Sequence, residues 1–159
     1  MFKKKKDIKT KPVKGAKTKP VKGEETKGAK QVGLSRGFIQ EVAHRIALFV
    51  GFSWGAESSP ADNNRNPGML RDDGDDKPEG ALVADSKGLW IFDTVDLGWK
   101  ALHAKVKTDL VDRRLTPREF AAHWRRKEDP ERVTRNLFQL FRDVDGKALD
   151  LDKPLPDGL

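Results

Sequence analysis

A chain of 159 residues with 32 Lys and Arg, 25 Asp and Glu and no cysteine is long enough for one ordinary domain and too short for two good cores. The missing cysteine excludes a disulfide framework, a thiolate metal site and a cysteine nucleophile. The formal charge of +7 sits at one end: residues 1–30 hold twelve lysines against Asp7, Glu24 and Glu25, a balance of +9, and the remainder carries −2.

The chain therefore divides into a Lys-rich arm, residues 1–33, and a domain, residues 34–159. Within the arm the heptapeptide KTKPVKG occurs at Lys9–Gly15 and again at Lys17–Gly23, a period far too short for a solenoid unit. Pro12 and Pro20 disfavour helix, the lysines repel one another, and only Val13 and Val21 offer apolar surface. Such a segment cannot offset its ordering entropy, and disorder is expected. Two uses remain open for it. It is a solubilising tether, or Lys3, Lys4, Lys5, Lys6, Lys14 and Lys22 bind a polyanion such as nucleic acid or teichoic acid, since lysines neutralise phosphates without reading sequence. Beyond Phe2 no aromatic interleaves the lysines, so base stacking is not indicated.

The start MFKKKK has the charge of a signal-peptide n-region but lacks the apolar stretch that follows one. The longest apolar run, IALFVGF at 46–52, is far below the roughly 18 residues a membrane span requires. A soluble product without a signal peptide, made in the cytoplasm and open to incorporation in a virion, is the expectation.

Ser35 is a plausible N-cap for a first helix. Phe38, Ile39, Val42, Ala43, Ile46, Ala47 and Val50 then follow the spacing of one buried helical face, and Gly51 is placed to end it. Residues 53–80, rich in Ser, Asn, Asp, Pro and Gly, read as loop. ALVAD (81–85) and LWIF (89–92), joined by Ser-Lys-Gly, read as a β-hairpin.

Three helices complete the pattern. The first runs from about Thr94 to Val111, with Val95, Trp99, Leu102, Val106 and Leu110 on one stripe. The second starts with Thr116 as N-cap, Pro117 at the first helical position and Glu119 three residues after the cap, a capping box with proline at N1. Its buried face carries Phe120, Ala121 and Trp124. The third starts at Asp129-Pro130, with Val133, Leu137, Leu140 and Phe141 inward. The tail after Gly146 is expected as a short loop against the core. Helix, loop, hairpin, then helices is an α+β layout with a mostly helical body.

The stretch PADNNRNPGML (60–70) resembles the RNNNPGNL segment of a family of phage and prophage proteins related to lysozymes and lytic transglycosylases. WIFDTVDLGWKAL (90–102) is similar to that family's strand ending in phenylalanine, followed by a helix with glycine and Ala-Leu. RLTPREF (114–120) is similar to its LTxxEF helix start. The resemblance covers about residues 36–150. It implies a lysozyme-like fold, peptidoglycan glycan strands as partner, and cleavage of those strands. Such chemistry requires a carboxylic acid kept protonated by partial burial until it donates to the glycosidic oxygen. The resemblance implies this acid at the end of the first long helix, facing a groove walled by the hairpin. The Asn-Pro-Gly loop would form part of that groove.

At two positions the chain departs from the pattern. The family's helix ends in an "EG" pair, where this chain has Val50-Gly51, and Met69 replaces the second asparagine of NPGN. Either the acid has moved or the domain keeps the fold without the reaction. The nearest substitute is Glu57, whose plain alternative is an exposed loop carboxylate. Asp62 is a second carboxylate or an Asx-turn residue, and Glu41 lies about two and a half turns before the helix end, away from the expected groove. Asn63, Asn64 and Asn66 are candidates for sugar contact or for turn formation. Trp54, in the loop beside the groove, is a candidate for stacking on a sugar ring or for packing.

Other chemistries find less support. His44, His103 and His123 show no HxxxH or HExxH pairing, and the cluster DDGDD (72–76) lacks EF-hand order. No metal site is assigned. No Walker A loop, GxGxxG after a strand or GxSxG elbow occurs, and no cofactor is expected. Two classes remain: a virion-associated enzyme that cleaves glycan strands with Glu57 as acid, and a non-catalytic structural or binding protein whose arm attaches to nucleic acid or cell wall.

Overall fold

The computed structural model describes residues 37–54, 59–143 and 145–156. The Lys-rich arm with Lys3, Lys4, Lys5, Lys6, Lys14 and Lys22, the cap candidate Ser35, and Glu57 lie outside the described residues. Among those described, helices α1 (Phe38–Phe49), α2 (Pro60–Asn63), α3 (Val95–Lys107), α4 (Pro117–Trp124) and α5 (Pro130–Phe138) accompany a hairpin of β1 (Ala81–Ala84) and β2 (Trp90–Phe92). This is an α+β fold. No described helix is long and apolar enough to cross a membrane.

Helix α1 buries Phe38, Val42, Ala43, Ile46 and Ala47, the face its apolar period marks out. It ends in a Schellman motif. Gly51 takes φ +77°, its N–H reaches Leu48 O at 3.1 Å, and the Phe52 N–H reaches Ala47 O at 2.9 Å. Phe52 and Ala47 then share a small apolar cluster with Ala61, which fixes the direction in which the chain leaves the helix.

The segment 53–80 is not all loop. Ser59 caps α2 by accepting from the Asp62 N–H at 3.2 Å, and Pro60 occupies the first helical position. After α2 the Asn-rich loop docks on the hairpin: the Phe92 N–H donates to Asn64 O at 2.9 Å and Arg65 Nη1 donates to Phe92 O at 3.0 Å. In the hairpin Ala81 pairs with Phe92, Val83 with Ile91 and Ala84 with Trp90, with an irregularity at Leu82. Its turn is tied by Asp85, whose carboxylate accepts from the Lys87 and Leu89 N–H groups and from Asn64 Nδ2. These bonds, that of Leu89 foremost, hold the Asp85 carboxyl below its ordinary pKa.

Helix α3 crosses the Asn-Pro-Gly loop at Gly98, where a Cβ would collide with the Arg65 carbonyl oxygen. Glycine is required there for close approach. The expected helix to Val111 widens at its end into a π-helical turn, Thr108–Asp112. This turn directs Asp109 inward, 1% exposed, between Arg113 at 3.2 Å and Lys105 at 3.6 Å. Helix α4 has both halves of the capping box, and Asp129 caps α5. In α5 the inward residues are Val133, Thr134, Leu137 and Phe138, with Phe141 beyond. Leu140, expected inside, is 43% exposed, because the helix ends at Phe138 and its period does not continue.

The main core gathers Phe38, Ile46, Phe92, Leu102, Phe120 and Phe138 with their neighbours from all the longer elements. Phe38 meets Phe141 edge-on at 4.5 Å. The tail lies against the core: Leu155 is buried, and Arg118 Nε is 2.7 Å from Asp152.

Candidate functional site

A groove of about 650 Å³ runs between α1 and α3. Its wall is aromatic. The Trp54 indole lies nearly parallel to that of Trp99, centroids 5.1 Å apart and planes at 23°. Phe52 meets both rings edge-on, at 5.4 Å and 5.8 Å. His44 stands 6.1 Å from Trp54 and His103 5.8 Å from Trp99, so imidazoles flank the indole pair. Trp54 is 61% exposed, unusual for so large an apolar ring.

The position of Trp54 follows from local chemistry. The Asp62 carboxylate accepts from Ser53 N at 3.0 Å, Ser53 Oγ at 3.0 Å and Ser59 Oγ at 2.6 Å. It thereby clamps the residue before Trp54 to the start of α2. Trp54 itself adopts φ +59°, a left-handed conformation uncommon for a bulky residue, and its ring turns back over Trp99 toward α1. Asp62, 8% exposed, acts as a positioning residue. Its carboxylate bonds reach back to Ser53 and Ser59, and the Asn64 N–H that an Asx turn would engage goes to Pro60 O at 3.1 Å.

Polar groups complete the groove. Gln40 and Glu41 of α1 and Asp96 and Lys100 of α3 line it with the two histidines. Glu41 lines this groove, which follows α1 toward its N-terminus and is not the groove expected at the helix end beside the hairpin: no residue of β1 or β2 lines it. The Glu41 carboxylate pairs with Arg45 at 3.0 Å, an ionic contact in which Arg45 Nε makes no aligned hydrogen bond. Lys100 is taken up by Glu79 at 2.7 Å. Burial depresses the pKa of His103 below its ordinary value, so its imidazole is neutral at pH 7. Trp99 Nε1 is buried and has no hydrogen-bond partner.

The asparagines divide. Asn66 is fully buried: its amide donates to Leu70 O and Trp90 O at 2.9 Å each, and its carbonyl accepts from the Leu70 N–H at 2.8 Å. Both amide hydrogens are spent and the group is closed off from solvent, so sugar contact gives way to turn formation at this position. Asn64, 8% exposed, gives its amide to Asp85 at 2.7 Å and joins loop to hairpin. Asn63 is exposed. None of the three lines the α1–α3 groove.

Val50 caps α1 and is half-buried. It packs against the Ala47–Phe52–Ala61 cluster, and so do Met69 and Trp99. The two positions at which the chain departs from the lysozyme-like pattern therefore meet one apolar cluster, adjoining the groove through Trp99. No group of three or more metal-ligating side chains occurs among the described residues. Asp75 of the acidic loop instead pairs with Lys105 at 3.2 Å. The groove could not have been found from helical period alone, because Trp99 reads as core on that criterion. Comparison with protein-family models, curated proteins and solved structures gave no match to this chain.

Proposed function

We propose that this chain is a lysozyme-like, virion-associated module of phage type that holds a glycan strand of peptidoglycan in the α1–α3 groove without cleaving it. The observation that carries the reading is the exposed Trp54 indole stacked on Trp99. A flat apolar ring open to solvent, with carboxylate, amide and imidazole groups around it, suits the C–H face and hydroxyl rim of a sugar. The absence of cleavage rests on Val50 and Met69. Where the resemblance implies an acid and an amide, this chain has a valine and a methionine packed on one apolar cluster, and neither side chain has a proton to donate to a leaving group. The Lys-rich arm would add sequence-independent attachment to a polyanion, nucleic acid or wall polymer.

One observation favours cleavage as a second reading: the Glu41 carboxylate lines the same groove near His44. Glu41 thus joins Glu57 as a candidate acid. The test is incubation of the full chain with purified sacculi, with sedimentation and mass analysis of the soluble fraction. The binding reading expects co-sedimentation, its loss in Trp54→Ala, and no muropeptides. Muropeptide release abolished by Glu41→Gln or Glu57→Gln would establish an enzyme, and 1,6-anhydro ends would make it a transglycosylase. Failure of the chain to co-sediment or cleave would end both readings.

A further inference from the structure

Three features of the groove wall converge on the Trp54–Trp99 pair. The Trp99 indole N–H is buried without an acceptor, an arrangement folded proteins avoid because the lost water bond is not replaced. The rings packed around the Trp99 indole are Phe52 edge-on, Trp54 stacked and His103 tilted, with centroids at 5.8 Å, 5.1 Å and 5.8 Å. Phe52 and Trp54 have no acceptor to offer, and the imidazole does not accept from Trp99. Trp54, the exposed member, has φ +59°, and unfavourable backbone geometry of this kind gathers at ligand-binding positions. A tryptophan with an unused donor therefore stacks on a ring that is itself open to solvent.

We infer that Trp99 donates its indole N–H to the carbonyl oxygen of an N-acetyl group on the bound sugar, and that Trp54 shifts off Trp99 to become the stacking surface. The inference rests on the glycan-binding reading and assigns recognition of the N-acetyl group to Trp99. An acetamido group is uncharged and carries a strong acceptor. A hydroxyl at the same carbon is a weaker acceptor, and a free ammonium is none. Lys100 is already paired with Glu79 at 2.7 Å, so it does not call for an anionic ligand. Trp99 is then the residue that selects the sugar, and Trp54 supplies affinity without selection.

The experiment titrates the full chain with a β-1,4-linked oligomer of N-acetylglucosamine and with the same oligomer after complete de-N-acetylation. Wild type, Trp99→Phe and Trp54→Ala are compared by calorimetry. Trp99→Phe keeps an aromatic ring and removes the donor. It should weaken the acetylated oligomer roughly tenfold, the worth of one hydrogen bond, and leave the deacetylated one unchanged. Comparing variants within each sugar cancels the charge of the free amine. Trp54→Ala should weaken both oligomers by a similar factor. A second readout needs no variant: of the four tryptophan indole N–H signals in a 15N-labelled sample, that of Trp99 should move downfield with the acetylated oligomer alone. Equal loss for both sugars in Trp99→Phe, or no loss for either, overturns the inference and leaves the glycan reading intact. No binding of either oligomer by wild type removes the reading, and the inference with it.

Discussion

With both amide hydrogens on the Leu70 and Trp90 carbonyls and its oxygen on the Leu70 N–H, Asn66 joins the Asn-Pro-Gly loop to β2 from inside the protein. Truncation would leave the Trp90 carbonyl and the Leu70 N–H unpaired, the Leu70 carbonyl keeping the Trp90 N–H at 2.9 Å, at about 1–3 kcal/mol for each buried group left unsatisfied. Asn66→Ala should therefore lose about 3 kcal/mol in urea denaturation, and Asn63→Ala, on the exposed side of the same loop, less than about 0.5 kcal/mol. Equal costs would refute the assignment of Asn66 to architecture. His103 gives a pH test. Because burial lowers its folded pKa, the unfolded chain takes up a proton that the folded chain refuses. Its contribution is complete above the unfolded value of about 6.5. Stability falls as pH drops from there through the folded pKa, then levels off. An NMR titration of the His103 ring should show a midpoint below 6.5, and a midpoint at or above that value contradicts the burial argument.

At the scale of elements, the helix starts were legible because their signals are local. Thr116 accepts from the Glu119 N–H at 3.1 Å, and Glu119 accepts from the Thr116 N–H at 2.9 Å; both bonds lie within four consecutive residues. Thr116→Ala should cost about 1 kcal/mol in the same denaturation assay, and Thr116→Ser nearly nothing. The same signature stands at Ser59-Pro60 with Asp62 three residues after the cap, yet α2 reads as loop, since four residues show no apolar period and the surrounding composition is that of turns. Other features had no local signal. The π-helical turn depends on Asp109 meeting Lys105 and Arg113, and the position of Leu140 depends on where α5 stops. The groove is of the same kind. Trp54 lies beside Trp99 because a buried carboxylate nine residues away in sequence holds Ser53. Nothing within the 53–57 segment announces that clamp.

For the whole molecule, the division of charge predicts a division of labour. Residues 1–30 carry +9 and the rest −2, so salt-sensitive attraction to phosphates belongs to the arm, and stacking in the groove is nearly indifferent to salt. Replacing Lys3, Lys4, Lys5 and Lys6 by Gln in the full chain should flatten the dependence of log affinity on log salt for single-stranded nucleic acid by up to about 3, near 0.7 per contact. Binding to the acetylated oligomer should not change. An unaltered salt slope would remove these four lysines from the polyanion contact.

The capped starts of α2, α4 and α5, each with proline at its first position, bear on how such a protein can diverge. Those three boundaries are written by neighbours in sequence, so they hold their register while distant side chains change. A lineage can exchange an acid for a valine, or recruit a tryptophan to a wall, without shifting where these helices begin. Separating register from surface in this way lets the lining of a groove change, residue by residue, on a scaffold that stays the same.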